Sequence, residues 1–197
     1  MQTDTIDFSA ARKAMIDSQL RTSGVNEPFV LARMAAVARE NFVPASARAV
    51  AYIDRAIPLD NGRRLAAPLF YGMVLAEAKP TAQDRALVVD SGAGYLAELL
   101  RPLVASVEVI APDDAVAATR KKGDFTLLAI DGAVEALPAA LVRRLDPSAR
   151  VVTGLVTGGV TRLAIGRRSG DEVALLPLAE IGIPRLGEFD QPKGWSF

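Results

Sequence analysis

The chain has 197 residues, half of them hydrophobic and 23% charged, enough apolar material for one cored domain and too much for wholesale disorder. Lysine plus arginine balances aspartate plus glutamate at 23 each, so there is no electrostatic footprint for nucleic acid. Cysteine and histidine are both absent, which excludes disulfides, thiol nucleophiles, Ser-His-Asp chemistry and thiolate or imidazole zinc sites, and no metal is expected.

The opening Met1-Gln2-Thr3-Asp4-Thr5 has neither the basic start nor the apolar stretch of a signal peptide. No apolar run reaches the roughly 18–20 residues that span a bilayer, so no membrane role and a cytoplasmic location are expected. Residues 7–22 predict an amphipathic helix, with Ala11, Ala14, Met15 and Ile16 on one face and Leu20 a turn later. Ser23-Gly24-Val25-Asn26 breaks it, and a second helix is expected from about Glu27 to Ala38, with Phe29, Val30, Met34 and Val37 inward. Residues 44–66 carry turn and loop chemistry in Pro44, Pro58, Asp60, Asn61 and Gly62. Ala67 to Ala78 predicts an apolar helix that Lys79-Pro80 ends.

From Ala86 the pattern changes. Ala86-Leu87-Val88-Val89 is a buried-strand run entering the turn Asp90-Ser91-Gly92-Ala93-Gly94, and a helix should follow over Tyr95–Val104. Ser106–Ile110 predicts a second strand, and Asp113–Lys121 a short helix capped by Asp113 or Asp114. Phe125–Ile130, a helix over Val134–Leu145 and a strand over Arg150–Val156 continue the alternation. Thr157-Gly158-Gly159 and Ser169-Gly170-Asp171 then turn the chain into Val160–Arg168 and Val173–Leu178. The tail from Pro184 has no clear period, and Phe189, Trp195 and Phe197 are expected to tuck against the body. Arg120-Lys121-Lys122 reads as a basic helix end, too short to imply nucleic acid. The alternation argues an α/β fold, a mostly parallel sheet with a C-terminal antiparallel pair.

A strand, a glycine turn and a helix form a ligand-binding device, because glycines let a ligand approach the backbone and the helix start favours anions. Here only Gly92 and Gly94 carry it, and as a bare pattern a plain strand–helix turn with capping glycines is the better explanation of them. Longer stretches are more specific. Met15-Ile16-Asp17-Ser18-Gln19-Leu20-Arg21 with Gly24-Val25, then Val37-Ala38-Arg39-Glu40-Asn41-Phe42-Val43-Pro44, then Tyr52, Asp54, Pro58 and the Gly62–Pro68 loop, follow one order. Asp84 to Tyr95 and the ending Pro192-Lys193-Gly194-Trp195-Ser196-Phe197 continue it. In these stretches the chain resembles the protein-L-isoaspartate O-methyltransferases, which use S-adenosylmethionine on a Rossmann-like sheet. The resemblance implies an N-terminal helical region on the substrate side, residues 1–80, and a trimmed Rossmann-like domain, residues 81–197, packed as one unit.

The departures bear on function. The family's acidic motif position is Val88 here and its first glycine is Asp90, so only Gly92, Gly94 and Tyr95 keep the cofactor pattern. A carboxylate at Asp90 would repel the carboxylate of the cofactor's methionine part. The ribose-binding acid aligns with Ala111, with Asp113 and Asp114 nearby. Only Pro112–Asp124 stands where the family has a helix, a strand and a loop, which removes an edge strand and opens Ser106–Ile110 as the new edge. The family's substrate-side serine is Ala66, next to Arg64, and Arg63 and Arg64 could grip a carboxylate.

The resemblance with these losses implies a fold that no longer binds S-adenosylmethionine and serves as a non-catalytic binding module, a homodimer or a protein partner meeting it at Ser106–Ile110. The alternative is active methylation of isoaspartyl carboxyl groups in protein repair. Positional candidates for cofactor contact are Asp90, Gly92, Gly94, Tyr95, Asp113 and Asp131, and for substrate Arg64 and Ala66. A third reading takes Asp90, Asp131 and Glu135 as inward carboxylates for a cationic ligand, although Asp131-Gly132 also suits a turn and cap before a Val134 helix.

Overall fold

The N-terminal periodicity becomes one rod in the computed structural model, which describes residues 6–118 and 123–191. Asp7 caps α1 (Phe8–Met15) by accepting the Ala10 N–H at 3.0 Å. The rod continues as a π turn over Ile16–Leu20 and a 3-10 turn over Arg21–Ser23, and Gly24 ends it at φ +88°. Pro28 opens α2 (Pro28–Ala36) where its missing N–H costs nothing. Two 3-10 turns, Arg39–Phe42 and Ala45–Val50, lead to a short hairpin of β1 (Ile57–Pro58) and β2 (Arg64–Leu65). α3 (Pro68–Ala78) is buried on most of its circumference, and a Cβ at its Gly72 would press on Leu20 and Val25. That close approach seats the N-terminal rod on α3.

β3 (Arg85–Val89) leads through the glycine turn into α4 (Tyr95–Leu100), followed by β4 (Ser106–Ile110) and α5 (Pro112–Val116). β5 (Phe125–Val134), α6 (Ala139–Val142), β6 (Leu145–Thr157), β7 (Val160–Ser169) and β8 (Glu172–Glu180) complete the chain order. The six-stranded sheet runs β4-β3-β5-β6-β7-β8, parallel from β4 to β6 and antiparallel across β7 and β8. β4 is therefore the sheet edge that the shortened segment leaves.

One core cluster joins Met15, Leu20, Met34, Tyr71 and Leu75 of the N-terminal region to Val88, Ala129 and Val152 of the sheet. A second lies on the other sheet face around Leu87, Val89, Ile130, Leu141 and Phe189. No helix among the described residues is long and apolar enough to cross a membrane.

The expected helix over Val134–Leu145 does not form. β5 runs on to Val134, and only Ala139–Val142 is helical. Ala133 is held in extended form by the tail: its N–H donates to the Pro184 carbonyl at 2.8 Å and its carbonyl accepts the Leu186 N–H at 2.9 Å. The helix expected to start at Asp113 starts instead at Pro112, with Ala111 as its cap, so neither Asp113 nor Asp114 caps it. α4 stops at Leu100 and hands over to a 3-10 turn, where Pro102 cannot continue the helix ladder. Of the aromatic tail residues, Phe189 is buried, while Trp195, Phe197 and the Arg120-Lys121-Lys122 run lie outside the described residues.

Candidate functional site

β3 ends at the sheet's carboxyl edge and delivers Asp90 to the glycine turn. Gly92 sits at φ +101° and Gly94 at φ +78°, backbone that an L side chain would strain. Asp90 Oδ2 accepts the Gly92 N–H at 2.7 Å, and its two oxygens accept the Gly94 N–H at 3.0 and 3.1 Å. Two of the backbone donors that this loop geometry offers to an anion are thus taken by the chain's own carboxylate. Asn61 donates to the Ser91 carbonyl at 3.0 Å, and a Cβ at Gly92 would collide with its amide, so Asn61 roofs the turn. Burial pushes the Asp90 carboxyl above its ordinary range, while the two glycine amides and the charge of Arg63 pull it back. Tyr95 is a core residue, not a cleft residue. Its ring meets those of Phe42 and Tyr71 at 5.2 and 4.9 Å, and burial pushes its hydroxyl up to about 12.

Asp131 lies beneath this loop. The β5–β6 pairing shifts register between Ala129 and Ala133, the kind of irregularity that re-aims a side chain. Tyr71 Oη donates to Asp131 Oδ1 at 2.7 Å and Ser91 Oγ donates to Oδ2 at 2.6 Å. Tyr71 Oη also accepts the Ala66 N–H at 3.3 Å. Burial pushes the Asp131 carboxyl up to about 6, against the two hydroxyl bonds that favour its charged form. Arg39, wholly buried, lies over the rings of Tyr71 and Tyr95 at 5.4 and 5.3 Å and donates to the carbonyls of Ala51 and Ala66 at 2.7 and 2.5 Å. The turn-and-cap reading of Asp131 is therefore replaced: it is a mid-strand carboxylate fixed by two hydroxyls.

Along the rim, Arg63 pairs with Glu188 at 2.7 Å and with Asp113 at 3.2 Å. Its grip on a carboxylate is spent inside the chain, and Asp113 stands on an exposed rim. Glu135 accepts from Arg185 at 2.5 Å and from the Gln191 N–H at 2.7 Å. Leu186 fills the space over Gly132, where a Cβ would lie 2.6 Å from its Cγ. Asp90, Asp131 and Glu135 are each occupied by internal donors, which corrects the expectation of inward carboxylates open to a cationic ligand.

Of the two residues expected from sequence to face a substrate, Ala66 is buried and contributes only backbone, while Arg64 points outward and donates to the Ala56 carbonyl at 3.1 Å. Beside it opens a cavity of about 480 Å³, lined among others by Asp54, Arg55, Arg64, Leu69, Phe70 and Ile181. Neither arginine forms an ion pair among the described residues. The fold thus gathers Asp90, Gly92, Gly94 and Asp131 around Ser91 and leaves Asp113 and Arg64 apart from them. Tyr71, Ser91, Arg39 and Asn61 complete the cluster; none of them is a site candidate from sequence, where Asn61 reads only as a turn residue. Ser91 lay within the glycine turn and Arg39 within a family-like stretch, but nothing in an all-apolar helix marks Tyr71 as polar.

Comparison with known proteins gives these residues a context. The family model for protein-L-isoaspartate(D-aspartate) O-methyltransferase matches residues 10–121. A protein-L-isoaspartate O-methyltransferase of Roseiflexus castenholzii is 30% identical, covering 92% of this chain and 94% of its own. A second, from Marinobacter nauticus, is 29% identical over 99% of this chain and all of its own. A Plasmodium falciparum protein-L-isoaspartate O-methyltransferase structure, in complex with S-adenosyl-L-homocysteine, superposes with a TM-score of 0.73 at 14% identity, covering 93% of this chain and 100% of that one. The described sheet, with its mostly parallel strands and antiparallel end, has that fold, and the chain belongs to the protein-L-isoaspartate O-methyltransferase family.

Proposed function

We propose that this family member has lost S-adenosylmethionine binding and acts as a non-catalytic binding module built on the methyltransferase fold. The observation that carries the reading is Asp90, whose carboxylate accepts the N–H groups of Gly92 and Gly94. An S-adenosylmethionine carboxylate brought to this loop would meet a like charge and find the Gly92 and Gly94 amides already bonded to it. Three further features agree. Asn61 roofs the turn, Ala111 offers no carboxylate to a ribose, and Leu186 fills the space over Gly132. The residues present do not fit the cofactor, so no methyl-transfer step is derived. The groove lined by Asp54, Arg55 and Arg64 keeps apolar walls and two arginines that form no ion pair among the described residues, which suits an acidic peptide segment.

Titration calorimetry of the whole chain with S-adenosylmethionine and S-adenosyl-L-homocysteine tests this. No heat at millimolar ligand is expected. Micromolar binding of either compound overturns the reading and returns the chain to the active-enzyme alternative, methylation of isoaspartyl carboxyl groups, which an isoaspartyl-peptide assay then checks.

A further inference from the structure

We propose that the face of β7 and β8 beside α3 is the surface through which two copies of this chain pair. On that face α3 packs mainly on β6 and β7, and its end lines a groove with β8. Ile165 and Leu176 are direct partners in the ladder and share the face with Arg167 and Ala174 one pair further on. Leu176 is 61% exposed, the most exposed large hydrophobic side chain among the described residues. It stands beside a groove of about 400 Å³ between the end of α3 and the two strands, with Ala78, Ile165 and Ala174 in its lining. A protruding leucine at the lip of a groove with an apolar floor and the charged side chains of Glu77, Lys79, Arg150 and Arg167 around it puts a knob and a hole on one surface. Two copies related by a two-fold axis fill both holes at once.

The charges around the patch select the same occupant. Lys79 and Arg167 are exposed, as are Glu77 and Glu172, and none of the four forms an ion pair among the described residues. A partner of one sign would leave half of these charges facing their like. A second copy brings both signs and can match both. Edge-to-edge strand addition is disfavoured here, because Pro177 interrupts β8 with a residue that has no N–H. Pairing is therefore face to face. The opposite edge, β4, is poorer in contact surface: its one exposed large hydrophobic side chain is Val109, at 41%, and its Glu108 is tied to Arg144.

The pairing does not depend on whether the cleft binds a cofactor. One knob and one hole per copy make a small interface, so the dimer depends on protein concentration. Sedimentation velocity on the full chain over a wide concentration series reads it directly. A reversible monomer–dimer equilibrium is expected. Leu176→Asp should weaken it at least about tenfold, since burying one leucine is worth more than a decade in an equilibrium constant. Arg167→Glu, at a solvent-exposed site that leaves the core untouched, should weaken it as well, and Val109→Lys should leave it unchanged. Melting temperatures of the variants confirm that the fold survives. A chain that stays monomeric at every concentration overturns the proposal. So does a dimer that tolerates both Leu176→Asp and Arg167→Glu, or one that Val109→Lys dissolves.

Discussion

The two sides of the cleft differ in where their polar groups are spent. Around the glycine turn, Asp90 meets two amides, Asp131 meets two hydroxyls, and Arg63 meets two carboxylates. Around the groove, Arg55 and Arg64 line open space and form no ion pair among the described residues, Arg64 donating only to the Ala56 carbonyl. A ligand site needs unspent donors and acceptors. The loop side keeps the shape of such a site while its carboxylates bond the chain's own amides and hydroxyls. The groove side keeps the opposite balance.

The variant with the largest expected effect is Arg39→Ala. It empties a buried site and leaves the Ala51 and Ala66 carbonyls without their donor, which should cost about 3–5 kcal/mol. Urea unfolding measures it, and an unchanged midpoint would remove Arg39 from the account of the loop side. Next comes Asp131. In the fold its carboxyl sits at about 6 against an ordinary 3.8. Between those values the folded chain holds a proton that the unfolded chain has released, so this group's contribution to stability falls as pH rises through the window and is level above it. Two units correspond to at most about 3 kcal/mol. Asp131→Asn should abolish that slope, read as the difference between parent and variant in denaturant titrations from the acid side up to neutrality. A difference that does not change with pH would break the assignment.

A smaller effect separates two accounts of Asp90. If its carboxylate serves the loop alone, Asp90→Ala should lose about 1–2 kcal/mol with the two amide bonds. A variant more stable than the parent would mean that Asp90 is kept at a cost to stability, as a ligand-binding group is, and would count against the self-satisfied loop. The smallest change belongs to the groove side. Arg64→Ala should stay within about 0.5 kcal/mol of the parent, because its one hydrogen bond is exposed. A larger loss would show that the open arginines are structural after all.

Much of the architecture was legible where one physical signal dominated. Buried strands announced themselves as apolar runs, and paired glycines announced the β6–β7 turn. The misreadings share a cause. Residues 134–145 have helical composition, but the tail's backbone bonds to Ala133 and the packing of Leu186 on Gly132 extend β5 through their start. Those partners are some fifty residues away in the chain, beyond the reach of local pattern. The site divided in the same way. That Asp90 replaces a glycine was readable, and so was its charge conflict with a carboxylate ligand. That it turns back onto its own loop was not, because the outcome depends on the φ values of Gly92 and Gly94. Tyr71 was hidden for a different reason: a single hydroxyl does not alter the apolar profile of the helix that carries it.

The hairpin that ends the sheet has a consequence for the order of assembly. β6 and β7 are joined by Gly158 and Gly159 alone, at φ +59° and +80°, and pair along eight residues from Thr157–Val160 to Arg150–Arg167. The parallel pairs of β3 with β4 and β5 close only after a crossover has been threaded, with the larger loss of chain entropy that this entails. The β6–β8 meander is therefore the segment positioned to form earliest, as a template onto which β5 and then β3 add. Alanine at Gly158 or Gly159 should slow refolding more than it speeds unfolding, whereas a truncation in β4 should do the reverse.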